Sequence, residues 1–179
     1  MTKLINLFGG PGTGKSTIAS GLTYELKKRN ITCDTPYEFA KQMAWDNSFE
    51  AIKDQLYILG NQHRGVTRSY NKVDYIILDS PILLSLLYKS HYNEGYPAEF
   101  YKDAFNQMVL DLHHSYDNVN IFLKRKDRMY NEKERFQSLQ ESIVIDDLCL
   151  KMLNDLNVDY HTLDTDDDVI KNILNIINI

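Results

Sequence analysis

The sequence of 179 residues contains few of the residues that mark specialised scaffolds, with two cysteines, four prolines and one tryptophan. Cys33 and Cys149 are far apart and form no CxxC pair, which excludes a disulfide framework and makes a structural zinc site unexpected. No apolar run approaches the length that spans a membrane, and the run at 4–8 is too short for the core of a signal peptide. We therefore expect a cytoplasmic protein without a membrane partner.

An excess of basic residues is also missing from the chain. Twenty Lys and Arg stand against 25 Asp and Glu, which gives a net charge of -5. Non-specific binding to nucleic acid normally requires a basic face, so DNA is a possible partner only through a local basic patch. The hydrophobic content of 43% and the length are typical of one globular domain, here residues 1–179.

Short apolar runs alternate with amphipathic stretches along the chain. Strands are predicted at 3–8, 31–34, 73–79, 119–123 and 159–163. Helices are predicted around 18–26, over most of 38–70 with breaks at Gly60 and Gly65, over 82–91, from Pro97, over 137–156 and around 169–177. Nearly continuous apolar strands between helices predict an α/β fold, in which helices cover both faces of a parallel five-stranded sheet.

The turn after the first strand carries the most specific motif of the sequence. Residues 9–16, here called the phosphate loop, read GGPGTGKS and match G-x-x-x-x-G-K-[ST] between a predicted strand and a predicted helix. Glycines allow backbone N–H groups to turn toward a polyphosphate, and the helix start adds partial positive charge. Lys15 would reach the outer phosphates, and Ser16 would bind Mg²⁺. The motif therefore predicts a nucleoside triphosphate with Mg²⁺, for which ATP is the expected donor although the motif leaves ATP versus GTP open. The predicted binding residues are Gly10, Gly12, Thr13, Gly14, Lys15, Ser16 and Thr17.

Asp79 ends a later apolar strand, and the carboxyl ends of parallel strands meet at the same edge of a sheet. Asp79 is therefore predicted to lie beside the phosphate loop and to bind Mg²⁺ with Ser16. Dedicated ATPases commonly have a glutamate directly after this aspartate, but here Ser80 and Pro81 follow. Their presence favours transfer to a substrate hydroxyl over simple hydrolysis.

Basic residues crowd the segment at about 124–136, between a predicted strand and a long predicted helix. One interpretation is a lid whose arginines stabilise the transferring phosphoryl group, with Arg125, Arg128 and Arg135 as the candidates. The alternative is an ordinary solvated face, because charge runs commonly have no further role.

The pattern as a whole resembles the small P-loop kinases of nucleosides, nucleotides and related metabolites, and within them the ribosylnicotinamide kinase-like group that includes phage proteins. The resemblance is carried by residues 9–16, 37–41, 55, 62, 78–81 and 124–135. It implies a three-layer P-loop NTPase fold and an ATP- and Mg²⁺-dependent phosphotransferase. It also implies catalytic roles for Lys15, Asp79 and the lid arginines.

The same resemblance implies that the segment at about 37–70 binds a small, hydroxyl-bearing nucleoside or nucleotide-like acceptor, with Glu38, Gln62 and Arg64 as candidates. A carboxylate at Glu38 could bind a sugar hydroxyl or accept its proton, although acidic residues also favour helix starts for simpler reasons. Two other functions stay open. One is a phage-type kinase of hydroxymethylated bases in DNA, and the other is a regulatory ATPase that forms no phosphorylated product.

Overall fold

The computed structural model describes residues 1–91, 101–126 and 138–179. Its strands are β1 (Lys3–Phe8), β2 (Cys33–Asp34), β3 (Tyr75–Leu78), β4 (Asp117–Lys124) and β5 (His161–Asp164). They form one parallel sheet in the order β2-β3-β1-β4-β5. The predicted α/β fold with a parallel five-stranded sheet is confirmed.

The helices of the described ranges are α1 (Lys15–Lys28), α2 (Phe39–Trp45), α3 (Phe49–Lys53), α4 (Gln55–Ser69), α5 (Leu84–His91), α6 (Lys102–His114), α7 (Leu139–Asp155) and α8 (Val169–Ile176). The predicted helix start at Pro97 lies outside the described residues. In the part of the chain that is described, no helix combines the length and the apolar character needed to cross a bilayer.

The central strand β1 explains the layering of the molecule. Leu4 and Phe8 pack on one face of the sheet with buried residues of α4, α5, α6 and α7. Ile5 and Leu7 point to the other face and pack with α1 and α8. Because successive side chains of a strand alternate between faces, an apolar run in a central strand contributes to both cores. Helices therefore cover both faces, as the sequence predicts.

The predicted helix breaks at Gly60 and Gly65 are wrong, because α4 is continuous through both glycines. A glycine inside a helix costs about 1 kcal/mol relative to alanine, which packing elsewhere along α4 offsets. A Cβ built at Gly65 would lie 2.9 Å from the Cβ of Pro36, so the glycine permits a close approach of the two segments. The helical segment is interrupted instead before α4, at 46–48 and at Asp54, whose carboxylate accepts a hydrogen bond from the Tyr57 amide (3.1 Å).

His113 makes the stability of the fold sensitive to acid. It is buried in α6, and burial, followed by the neighbouring His114, lowers the pKa of His113 from 6.5 to about 4. Since the unfolded chain binds this proton more readily, the stabilisation is complete above about pH 6.5 and is lost as the pH falls toward 4. The loss should reach at most about 3 kcal/mol.

Chemical denaturation between pH 7 and 4 tests this expectation. His113→Gln should flatten the dependence of the unfolding free energy on pH, whereas His161→Gln, at an exposed position of β5, should leave the slope near that of the unmodified protein. An unchanged slope in His113→Gln would assign the acid sensitivity to other groups.

Candidate functional site

The phosphate loop connects β1 to α1 and depends on glycine at positions with positive φ. Gly12 and Gly14 have φ angles of 81° and 91°, in the left-handed region that other residues rarely adopt. Gly14 directly precedes the first residue of α1, so the loop ends at a helix N-terminus. Lys15 Nζ donates to the carbonyl oxygens of Gly9 (2.6 Å) and Gly10 (2.9 Å), which holds the lysine over the loop.

The environment of Lys15 combines burial with nearby acidic groups. Burial lowers the pKa of Lys15, while nearby acidic groups oppose the shift, Glu38 most strongly and Asp79 and Asp146 also. The amino group of Lys15 is therefore largely removed from water. Phosphate oxygens bound at the loop would add a charged partner to its two backbone carbonyl oxygens.

Ser16 and Asp79 meet at the carboxyl edge of the sheet, as the sequence predicts. Ser16 Oγ donates to Asp79 Oδ2 at 2.8 Å, and Asp79 is buried directly after the end of β3. A hydroxyl and a carboxylate are hard oxygen donors of the kind that Mg²⁺ accepts together with water and phosphate oxygens. These two residues could therefore hold the metal ion of a nucleotide complex.

A cleft of about 540 Å³ opens beside the phosphate loop. One wall is the loop and the start of α1, with Gly12, Gly14, Lys15, Ser16 and Thr17 among the lining residues. The other wall comes from the region of α2 to α5, and its polar side chains include Glu38, Lys41, Gln55, Gln62 and Ser80. The lining of the cleft is mixed in polarity, which suits an organic molecule with a few polar groups.

Two of the three predicted acceptor residues line this cleft. Glu38 directly precedes α2 and makes no capping hydrogen bond from its side chain to that helix. Gln62 Nε2 donates to Ser80 Oγ at 2.9 Å, next to Asp79. Arg64 is exposed and does not line the cleft. A role for Arg64 in the acceptor pocket therefore gains no support from the structure.

Arg125, within the predicted lid at about 124–136, lies against the phosphate loop. Its Nε donates to Asp146 Oδ2 at 2.8 Å, and its Nη2 donates to the Pro11 carbonyl oxygen at 2.7 Å. Arg125 thus contacts the backbone of the phosphate loop. Arg128, Arg135 and most of the predicted lid at 124–136 lie outside the described residues, and their roles stay predictions.

Asp146, in the middle of α7, is a site residue that the sequence does not reveal. Its Oδ1 accepts the Gly10 amide at 2.5 Å, so this predicted nucleotide-binding amide is already engaged. Gly10 and Thr13 do not line the cleft, and Thr13 Oγ1 donates to the Gly10 carbonyl oxygen at 3.0 Å. A single aspartate in an amphipathic helix has no motif around it, so no sequence signal could have found it.

The AAA_28 family model, described as an AAA domain, matches residues 4–168 of the chain. The chain belongs to the AAA_28 family. No curated protein matches this AAA_28 domain in sequence.

Solved structures that resemble this AAA_28 domain include a complex of NadR with NR, at a TM-score of 0.64 and 15% identity. That match covers 93% of the domain but only 44% of the NadR chain. Deoxyadenosine kinase from M. mycoides with bound dATP matches at 0.64 and 20% identity, covering 98% of this chain and all of the kinase. YorR from Bacillus subtilis, in complex with phosphorylated GDP, matches at 0.60 and 16%, covering 98% of this chain and 95% of YorR. At these identities the similarity establishes a shared fold.

Proposed function

We propose that this AAA_28 domain is an ATP- and Mg²⁺-dependent phosphotransferase. It would move the γ-phosphoryl group to a hydroxyl or phosphate of a nucleoside, nucleotide or related metabolite. The observation that carries the proposal is that Lys15, Ser16 and Asp79 line the same cleft as Glu38 and Gln62, with Ser16 hydrogen-bonded to Asp79. The fold shared with deoxyadenosine kinase and NadR supports it.

The donor half of the reaction uses the phosphate loop. Backbone N–H groups of the loop and of the first turn of α1 would bind the β- and γ-phosphates, and Lys15 would stabilise charge on the transferring group. A magnesium ion, when bound, neutralises charge on the phosphate oxygens, and Ser16 and Asp79 are the residues that would hold it. In-line transfer requires little covalent chemistry from the protein, so positions and charges dominate.

The acceptor half uses the wall formed by α2 to α5. Glu38 lies close enough to Lys15 to oppose the lowering of the pKa of that lysine, so its carboxylate belongs to the same site. It would accept the proton of the attacking hydroxyl, with Asp79 as the alternative group that orients the acceptor. Trp45 and Tyr88 also line the cleft and offer aromatic surface to a planar ring.

A narrower assignment to the ribosylnicotinamide kinase-like group belongs to the same proposal. The NadR complex with NR and the deoxyadenosine kinase complex with dATP support a nucleoside-like acceptor. The cleft has polar amides at Gln55 and Gln62 for the edge of such a ring.

A screen for phosphorylated products tests the function. The protein is incubated with ATP and Mg²⁺ and with nucleosides, nucleoside monophosphates, nicotinamide riboside or DNA containing hydroxymethylated bases, and the products are identified by mass spectrometry. We expect one class of small acceptor to gain a phosphoryl group. Product on DNA alone would favour the DNA kinase. ATP hydrolysis that no acceptor stimulates would contradict the proposal and favour a regulatory ATPase.

Glu38→Gln is expected to lower kcat by about 100-fold or more while the KM for ATP changes little, because proton transfer by a positioned group contributes in this range. Initial rates at varied ATP and acceptor concentrations measure both quantities. Glu25→Gln is the matched control, since Glu25 forms an ion pair with Arg29 on α1 and does not line the cleft. A kcat within threefold of the unmodified enzyme would leave Glu38 as an ordinary residue at a helix start.

A further inference from the structure

Asp146 connects three parts of the chain around the phosphate loop. Its Oδ1 accepts the Gly10 amide at 2.5 Å, and its Oδ2 accepts Nε of Arg125 at 2.8 Å. Arg125 follows β4, and its Nη2 donates to the Pro11 carbonyl oxygen at 2.7 Å. Two adjacent residues of the loop are therefore held from α7, one directly and one through the arginine.

We propose that Asp146 is the positioning residue that holds the first turn of the phosphate loop in its nucleotide-binding shape. It acts directly on Gly10 and, through Arg125, on Pro11. The inference rests on the proposed function only through nucleotide binding, and it requires no particular acceptor.

Packing shows that this part of the loop is built against α7. A Cβ placed at Gly10 would lie 2.5 Å from the Ser142 carbonyl oxygen and 2.8 Å from Asp146 Oδ1. Both contacts come from one turn of α7, so even a methyl group at Gly10 would force helix and loop apart. Because glycine has no Cβ, the loop can approach α7 closely enough for the Gly10 amide to reach the Asp146 carboxylate.

The negative charge of Asp146 makes its contacts with Arg125 and Gly10 difficult to replace. The side chains of Arg125 and Asp146 are 16% and 13% exposed, so their ion pair is largely removed from water. Removal of one member leaves the other as a poorly solvated charge. The hydrogen bond from the Gly10 amide to the carboxylate is also charge-assisted, which makes it stronger than a bond to a neutral acceptor. A neutral side chain at 146 would weaken both ends of the connection at once.

Loss of the Asp146 carboxylate should weaken binding of the donor nucleotide and leave binding of the acceptor unchanged. Pro11 and Gly12 line the cleft at the loop, whereas Asp146 does not line it. A shift of Gly10 and Pro11 moves the amides that follow them in the chain. Displacements of about 1 Å in such positioning groups can cost about 100-fold in rate.

Calorimetric titration with a non-hydrolysable ATP analogue in Mg²⁺ buffer tests the inference. Asp146→Asn is expected to bind the analogue about 10- to 100-fold more weakly, the range for loss of hydrogen bonds to a charged group. Asp147→Asn makes the same change of charge at the adjacent, exposed position of α7 and should alter the Kd by less than about twofold. In steady-state kinetics the KM for ATP should rise in Asp146→Asn, while the KM for the acceptor should not.

Arg125→Lys changes the other member of the same ion pair and provides a second test of the inference if Asp146→Asn does not fold. We expect it also to weaken analogue binding by about tenfold, and the double variant to be little weaker than Asp146→Asn, because both changes break one network. A variant that melts at a lower temperature but binds the analogue with unchanged Kd would show a purely structural role and overturn the inference. An unmodified protein that binds the analogue but phosphorylates no acceptor would contradict the proposed function alone.

Discussion

Lys15→Ala should reduce phosphoryl transfer by at least about 1,000-fold, since a single cation at the transferring group is worth about that much in such reactions. Lys15 Nζ lies over the loop, held by the Gly9 and Gly10 carbonyl oxygens at 2.6 and 2.9 Å. Among the described residues that line the cleft, Lys15 is the only basic residue of the phosphate loop. No other side chain of the loop would therefore take over the position of its ammonium group. Initial rates with the acceptor found in the screen measure the loss.

The same variant should remain folded. Burial lowers the pKa of Lys15, so the folded protein disfavours the charged form, and removal of the ammonium group offsets the loss of its two hydrogen bonds to Gly9 and Gly10. The melting temperature should therefore not fall appreciably. Lys27→Ala, at an exposed position of the same helix, is the control and should retain full activity. Near-normal turnover in Lys15→Ala would remove the lysine from the mechanism.

Asp79→Asn should lower kcat by at least about 100-fold at low Mg²⁺, and higher Mg²⁺ should recover part of the loss. The amide oxygen can still accept the hydrogen bond from Ser16, so the local structure should persist, but the negative charge that favours the metal ion is gone. Measurement of the rate against Mg²⁺ concentration separates weaker metal binding from a general loss of activity.

Asp74→Asn supplies the control for this experiment at the opposite end of β3. Asp74 precedes β3, and its Oδ2 accepts from Thr32 N (2.9 Å) and Thr32 Oγ1 (2.6 Å), far along the strand from the cleft. It should change stability but not the Mg²⁺ dependence. If Asp79→Asn changes the rate by less than about tenfold, equivalent to ~1.4 kcal/mol, Asp79 lies outside the reaction centre.

Local sequence was sufficient to predict the elements that form from neighbouring residues alone. The apolar run of β1 and the glycines that follow it define a strand and a loop without help from distant residues. Asp79 was predicted beside Ser16 because the carboxyl ends of parallel strands share one edge, and the distance of 2.8 Å agrees. The prediction failed at Gly60, where a Cβ would meet nothing within 4 Å and the helix simply tolerates glycine, and at Gly65, because a glycine that breaks a helix and one that admits a neighbour look alike in sequence. Only the proximity of Pro36 distinguishes them at Gly65.

Sequence also left the role of Arg125 open between a lid and a solvated face. Its side chain is largely buried, which argues against a solvated face, and its catalytic role stays a prediction. Its guanidinium group lies between Asp146 and the Pro11 carbonyl oxygen, two partners that are 21 and 114 residues away along the chain. No short motif joins residues at such separations. Arg128 and Arg135 lie outside the described residues, so the lid interpretation stays a prediction for them.

By itself, the sequence determined the alternation of strands and helices, the phosphate loop and the edge of the sheet at which Asp79 lies, because hydrophobic period and glycine geometry act over a few residues. The tertiary structure decided that Glu38 and Gln62 share a cleft with Lys15, that Arg64 does not, and that Asp146 holds Gly10. These contacts arise when α4, α5 and α7 pack on one face of the sheet and α2 and α3 pack against α4, and the packing depends on the complementary shapes of surfaces formed by distant segments.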